Sequence, residues 1–156
     1  MTRPALRPTT SRHLGTVMTI TPVRARDVAV NRRRGGDIRV LLGPATAGAT
    51  AGFLGTLRLQ PGEYVAEHLH PYSEEFLYVV SGTVTVRVEG EEVELAADEG
   101  LLVPIGQRHR VRNVGDGPAH LVFVCGPLAP EPRLGHVDTE ELPHPGQPQV
   151  AVGGAR

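Results

Sequence analysis

Two histidines separated by a single residue, His68 and His70, place the strongest constraint on how this chain folds. They lie in a run with strand character, Tyr64 to His70. Side chains alternate across a strand, so both imidazoles leave the same face, about 6.6 Å apart along it. From there two rings can converge on one ion at about 2.1 Å. A carboxylate pair, Glu74 and Glu75, follows where the next strand begins, and His109 stands in a second strand-like stretch. Two histidines, a carboxylate and a distant histidine form a metal-site constellation. It requires a fold that brings separate strands face to face.

The rest of the sequence supplies those strands. Ile38–Leu42, Phe53–Leu59, Tyr64–His70, Glu75–Val80, Thr83–Val88, Glu91–Leu95, Gly100–Val103, His109–Asn113 and Ala119–Cys125 are short, apolar or alternating, and bounded by turn residues. Glu89-Gly90 is a hairpin signal. Val17–Ile20 could add a further short strand, and Gly43–Gly52 reads as a small-residue turn or loop. No helical period intervenes, so the expected class is all-β, an antiparallel sandwich or barrel. The expected organisation is an N-terminal arm and basic loop over 1–36, a barrel over 37–127 and an extended Pro-rich tail over 128–156, its last dozen residues poorly ordered.

Composition narrows the chemistry. The 156 residues contain no lysine, which excludes a lysine Schiff base. Cys125 is the only cysteine, in an apolar run, and reads as a packing residue. No apolar run reaches the roughly 18 residues of a membrane span, and the N-terminus lacks a signal-peptide core, so the expected location is the cytoplasm. The net charge of -1 hides an asymmetry: residues 1–40 hold nine arginines and two aspartates, the remainder seven arginines and fifteen carboxylates. Arg32-Arg33-Arg34 is the densest cluster, a solvated or subunit-contact arm or a landing site for an acidic partner. Nucleic acid does not fit, because no aromatic residues interleave with the arginines.

These residues resemble the cupins, small β-barrels with two metal-binding motifs. The first motif is matched by Gly62, His68, His70, Glu75 and Gly82, the second by Pro104, Gly106, His109 and Asn113. Asp98 stands where the second motif expects its first glycine, a departure that affects a turn and no ligand. Within that family, R-R-R-G-G-D-I-R-V-L-L, E-H-L-H-P-Y-S-E-E-F-L-Y-V-V-S-G, V-P-I-G-Q-R-H-R-V-R-N and L-G-H-V-D-T-E resemble the cupin-type cyclases of bacterial aromatic polyketide pathways. The resemblance implies a jelly-roll barrel and one divalent ion per subunit on His68, His70, Glu75 and His109. Zinc is placed ahead of nickel, manganese, iron and copper, although three imidazoles and a carboxylate suit all of them and do not choose the metal.

The same resemblance implies a substrate, a poly-β-ketone, and a reaction, intramolecular aldol cyclisation followed by aromatisation. A metal-bound hydroxide, Glu75 and Glu74 are the base candidates in that order, with His109 beside them. By alternation Ala66, Val111 and Asn113 should face inward with the histidines, Leu77 and Val79 with Glu75, and Arg110 and Arg112 outward. Tyr64 and Tyr78 read mainly as core packing, His120 as an outer-face residue, and His13, His136 and His144 as tail or loop residues without a role. Expected partners are the small-molecule substrate, an acidic acyl carrier protein meeting the basic arm, and a second copy in a homodimer. Two other functions use the same residues: a cupin oxygenase acting on an aromatic, and a non-catalytic module that shapes intermediates beside a polyketide synthase.

Overall fold

The computed structural model describes residues 20–149. Its strands are β1 (Asp37–Leu42), β2 (Phe53–Leu59), β3 (Tyr64–Leu69), β4 (Glu74–Ser81), β5 (Val84–Val88), β6 (Glu91–Leu95), β7 (Gly100–Val103), β8 (His109–Asn113), β9 (Ala119–Gly126) and β10 (Val137–Asp138). They form two five-stranded sheets, β1-β2-β9-β4-β7 and β10-β3-β8-β5-β6, with antiparallel pairing between neighbours. The result is the expected jelly-roll.

Period-two alternation builds the core. Along β9, Ala119, Leu121, Phe123 and Cys125 are buried and the residues between them are not. Leu57, Leu59, Val65, Val79, Val84, Val86, Val111 and Leu121 from both sheets meet in one apolar cluster. Burying each such side chain contributes about 1.5–3 kcal/mol. Cys125 belongs to that cluster, as a packing residue should.

Turn chemistry sets the register. Glu89 and Gly90 both have positive φ, 48° and 91°, the signature of the two-residue hairpin turn that joins β5 to β6. Gly82 has φ 87°, and a Cβ there would lie 2.7 Å from the Ala119 Cα, so only glycine fits. Asp98 takes the left-handed conformation of the glycine it replaces, φ 68°, which aspartate tolerates. Its carboxylate accepts a hydrogen bond from the Tyr78 hydroxyl at 2.6 Å. Tyr78 therefore lies exposed on the outer face of β4 and is not a core residue. Tyr64 is half-buried and carries the Arg110 guanidinium 4.0 Å above its ring.

Three local features depart from the sequence reading. The Gly43–Gly52 stretch contains one helical turn, α1 (Pro44–Ala47), opened by Pro44 and ended by Gly48 at φ 66°. The residues after the barrel do more than extend: β10 adds a strand to the edge of β3, pairing Val137 with Leu69 and Asp138 with His68. Thr139 N–H donates to the Glu67 carbonyl, and Glu67 N–H donates to the Glu140 carboxylate. The third is a bulge in β3. Val65 faces Val111 and His68 faces His109, so three steps on β3 match two on β8. Residues 17–19 of the further strand expected over Val17–Ile20, and 150–156 of the tail, lie outside the described residues.

Candidate metal centre

The cavity lies between the sheets. Ile38, Val40, Phe53, Leu57, Leu77 and Phe123 make most of its apolar wall, and His68, His70, Glu75 and His109 project into it. β3 supplies His68 and leads into His70, β8 supplies His109, and β4 supplies Glu75 from the facing sheet. The histidine after Leu69 lies just past the end of β3, where it still shares the face of His68. One ligand atom from each of the four residues falls within 4.8 Å of all the others. Around an ion at about 2.1 Å, adjacent donors sit about 3.0–3.4 Å apart and opposed donors about 4.2 Å apart.

Each imidazole is aimed by its second nitrogen. Nδ1 of His68 bonds the Ala66 carbonyl at 2.8 Å, Nδ1 of His70 the Gly135 carbonyl at 2.8 Å, and Nδ1 of His109 the Gln107 carbonyl at 3.1 Å. A carbonyl only accepts, so each Nδ1 carries the proton. In the neutral form that binds metal, each ring would then present Nε2 as its ligand atom. Glu75 Oε2 lies 3.0 Å from Nε2 of His70 and 2.9 Å from Nε2 of His109. The donor chemistry fits one divalent ion, and does not select among zinc, nickel, manganese, iron and copper.

Burial and mutual charge set the protonation of His68, Glu75 and His109. Burial, then the nearby His109 and His70 charges, holds His68 well below its ordinary pKa. Burial alone would raise Glu75, but the hydrogen bonds from His109 and His70 outweigh it and hold the carboxyl well below the usual range. His109 is raised: burial pulls it down and the Glu75 carboxylate more than offsets that. Burial, then the Glu75 charge, pushes the Cys125 thiol well up, which keeps it unreactive.

Several sequence expectations are redrawn by this geometry. Glu74 alternates to the face opposite Glu75 and does not line the cavity, so it is not placed to act as a base there. Because of the β3 bulge, Val65 lines the cavity in place of Ala66, whose N–H is turned to the Arg34 carbonyl at 2.8 Å. Val111 lines the cavity as expected. Asn113 is buried but ties the barrel end, donating to the carbonyls of Leu59 and Gly117 and accepting from Gly115 N–H. His120 is an outer-face residue of β9. His144 stays in the tail, and His13 lies outside the described residues.

His136, expected as a tail or loop residue without a role, and Arg34, expected in a solvated or partner-contact arm, are corrected by the cavity they line. His136 lines the cavity, and burial followed by the Arg34 charge lowers its pKa to about 4, so it is neutral near pH 7. Arg34, from the basic cluster, also lines the cavity and pairs with Asp138 through Nε at 2.6 Å and Nη2 at 3.2 Å. The available signal was the short Gly-His-Val-Asp segment, whose Val-Asp pair is β10.

Comparison with known proteins matches this architecture. Residues 55–125 match the cupin domain model. The chain is 51% identical over 148 residues to the tetracenomycin polyketide synthase protein TcmJ of Streptomyces glaucescens, covering 94% of this chain and 99% of that one. It is a cupin.

This cupin is also 57% identical over 118 residues to the polyketide synthase CurC of Streptomyces cyaneus, covering 76% and 77% of the two chains. It is 58% identical over 115 residues to the protein SchB of Streptomyces halstedii, covering 74% and 83%. Among solved structures, a predicted oxalate decarboxylase from Thermotoga maritima matches with a TM-score of 0.60 and 23% identity, over 69% of this cupin and 100% of that chain. That likeness establishes the fold alone. Among the described residues no helix is long and apolar enough to cross a membrane.

Proposed function

We propose that this cupin is a metal-dependent polyketide cyclase, closing a ring in a poly-β-ketone by aldol condensation and aromatising it by loss of water. One observation carries the reading: three imidazoles, each held with Nε2 toward the cavity, and a buried carboxylate face a cavity whose wall is mostly apolar. The polyketide synthase names of its relatives support the substrate class.

His68, His70, Glu75 and His109 would hold the ion, which supplies Lewis-acid polarisation of a carbonyl oxygen when bound. Methylenes between two carbonyls are acidic, so a weak base suffices to take their proton. Oε2 is the Glu75 oxygen that sits against Nε2 of His70 and His109, which leaves Oε1 as the acceptor for that proton. The resulting enolate carbon bonds to a second carbonyl carbon, the new alkoxide takes a proton, and water leaves. Phe53, Leu57, Leu77 and Phe123 hold the substrate folded so that the two carbons meet, and exclude water. The reading includes delivery by an acidic acyl carrier protein. Within the basic cluster Arg34 is buried against Asp138 and Arg33 donates to the Pro145 and Gln147 carbonyls, while Arg32 pairs with Asp37 at 3.2 Å and stays exposed, so Arg32 is the member a carrier would meet. Carrier binding unchanged by Arg32→Glu would remove that part.

The test is reconstitution with a minimal polyketide synthase that releases an uncyclised chain, read by chromatography and mass spectrometry. Wild type should give a ring product lighter by the water lost, and His109→Gln should not. A product heavier by oxygen, or cyclisation undiminished in His109→Gln, contradicts the reading.

A further inference from the structure

The sandwich is open along one side, where β1 ends one sheet and β10 ends the other. Four polar residues close that side and line the cavity there: Asn31, Arg34, His136 and Gln149. Asn31 is bridged to Ile38 of β1, and Arg34 is locked to Asp138 of β10. The Arg34 side chain is only 8% exposed. Asp138 takes two arms of its planar fork, which fixes the guanidinium and offsets its charge. The remaining arm, Nη1, donates to Gln149 Oε1 at 3.1 Å. Arginine only donates, so the atom facing it is the amide carbonyl oxygen of Gln149.

We infer that Arg34 recognises a carbonyl or enolate oxygen of the ligand at the cavity mouth, and that the Gln149 amide oxygen occupies that position when no ligand is bound. The carbonyl class rests on the proposed polyketone substrate; the recognition itself does not depend on the ion. Three features carry it. The cavity is apolar except at the metal ligands and at this mouth, and a few fixed polar groups in an apolar pocket are what orient a ligand. The donor is immobilised before binding, so little is lost in ordering it. Its charge is already balanced by Asp138, which suits a neutral carbonyl or a delocalised enolate better than a full carboxylate. Gln149 belongs to the tail that Arg33 also grips at the Pro145 and Gln147 carbonyls, so ligand entry exchanges one carbonyl for another without unseating β10.

The test uses the full chain stripped of metal by chelator, with 2-acetylnaphthalene as probe and 2-ethylnaphthalene as its carbonyl-free match. The chain has no tryptophan, so naphthalene fluorescence is read against little background. In wild type the ketone must displace Gln149 from Arg34, so it should bind only a few-fold more tightly than the hydrocarbon, below the about ten-fold worth of one hydrogen bond to a charged donor. Arg34→Met should abolish that preference. Gln149→Ala, which removes the competitor and leaves the Arg34–Asp138 pair intact, should tighten ketone binding several-fold and leave hydrocarbon binding unchanged. A merely structural Gln149 would not produce tightening. His68→Ala/His70→Ala should keep the preference, and a wild-type protein that shows the preference without cyclising its substrate tells against the catalytic reading alone. No ketone preference in wild type, a preference that survives Arg34→Met, or unchanged or weaker ketone binding in Gln149→Ala overturns the inference.

Discussion

His70 donates its Nδ1–H to the main-chain carbonyl of Gly135, 65 residues further along the chain. The bond ties a candidate metal ligand of the barrel to the segment that follows the barrel. That segment therefore orients the site as well as covering it: Gly135 aims His70, His136 lines the cavity, and Asp138 holds Arg34.

Removing the tail should loosen the ion. Groups that orient a ligating histidine typically account for 10–100-fold in metal affinity. A chain ending at Leu134 should bind zinc weaker by about that factor in a chelator competition, with the barrel still folded by circular dichroism. Wild-type affinity in the truncated chain would show that the Gly135 bond does not tune His70.

Acid should empty the site, because only neutral imidazoles bind. Metal content should fall below about pH 5.5, and full occupancy at about pH 4.5 contradicts the ligand set. The metal-free protein has its own pH profile. His68 is lowered on folding, so its neutral form is undisturbed above about 6.5 and stability is lost as pH falls below that. Glu75 is also lowered; its contribution is present above the ordinary carboxylate range and is lost as pH falls through its folded value. His109 runs the other way, contributing below about 6.5 and fading as pH rises through its raised value. Urea midpoints of the metal-free protein should therefore peak near neutrality and fall first on the acid side.

Much of this was legible in the sequence, and the failures have physical causes. Phe53–Leu59, Glu91–Leu95, Gly100–Val103 and His109–Asn113 have the bounds that alternation and turn residues predict. The grouping of His68, His70, Glu75 and His109 was legible because metal ligation would demand particular residues at particular spacings. The bulge between Val65 and His68 was not, since alternation cannot register one extra residue without knowing the partner strand. Arg34 and His136 were missed for a related reason. Their place in the cavity depends on β10 pairing across the chain with β3, and a two-residue strand leaves no periodicity to read.

The core should respond as a tightly packed one. Leu121 is fully buried between the sheets, and Leu121→Ala should cost about 2–5 kcal/mol by denaturant unfolding. Val93→Ala, at a 41% exposed site, should stay within about 0.5 kcal/mol. Equal effects would mean that the sheets do not pack as described.

The outer face of β4 and β7 carries Phe76 and Leu102, paired across the strands and 48% and 45% exposed, with Tyr78 and Val80 beside them. An apolar patch of that kind is the natural face for the expected homodimer. Sedimentation should give a dimer for wild type and a monomer for Phe76→Asp. A wild-type monomer at micromolar concentration contradicts it.

The most direct test of the central claim is elemental analysis of the purified protein beside its His68→Ala/His70→Ala variant. The account predicts one divalent ion per chain in wild type and none in the variant, with both folded. A wild-type protein that holds no ion after reloading, or a variant that keeps its ion, would contradict it.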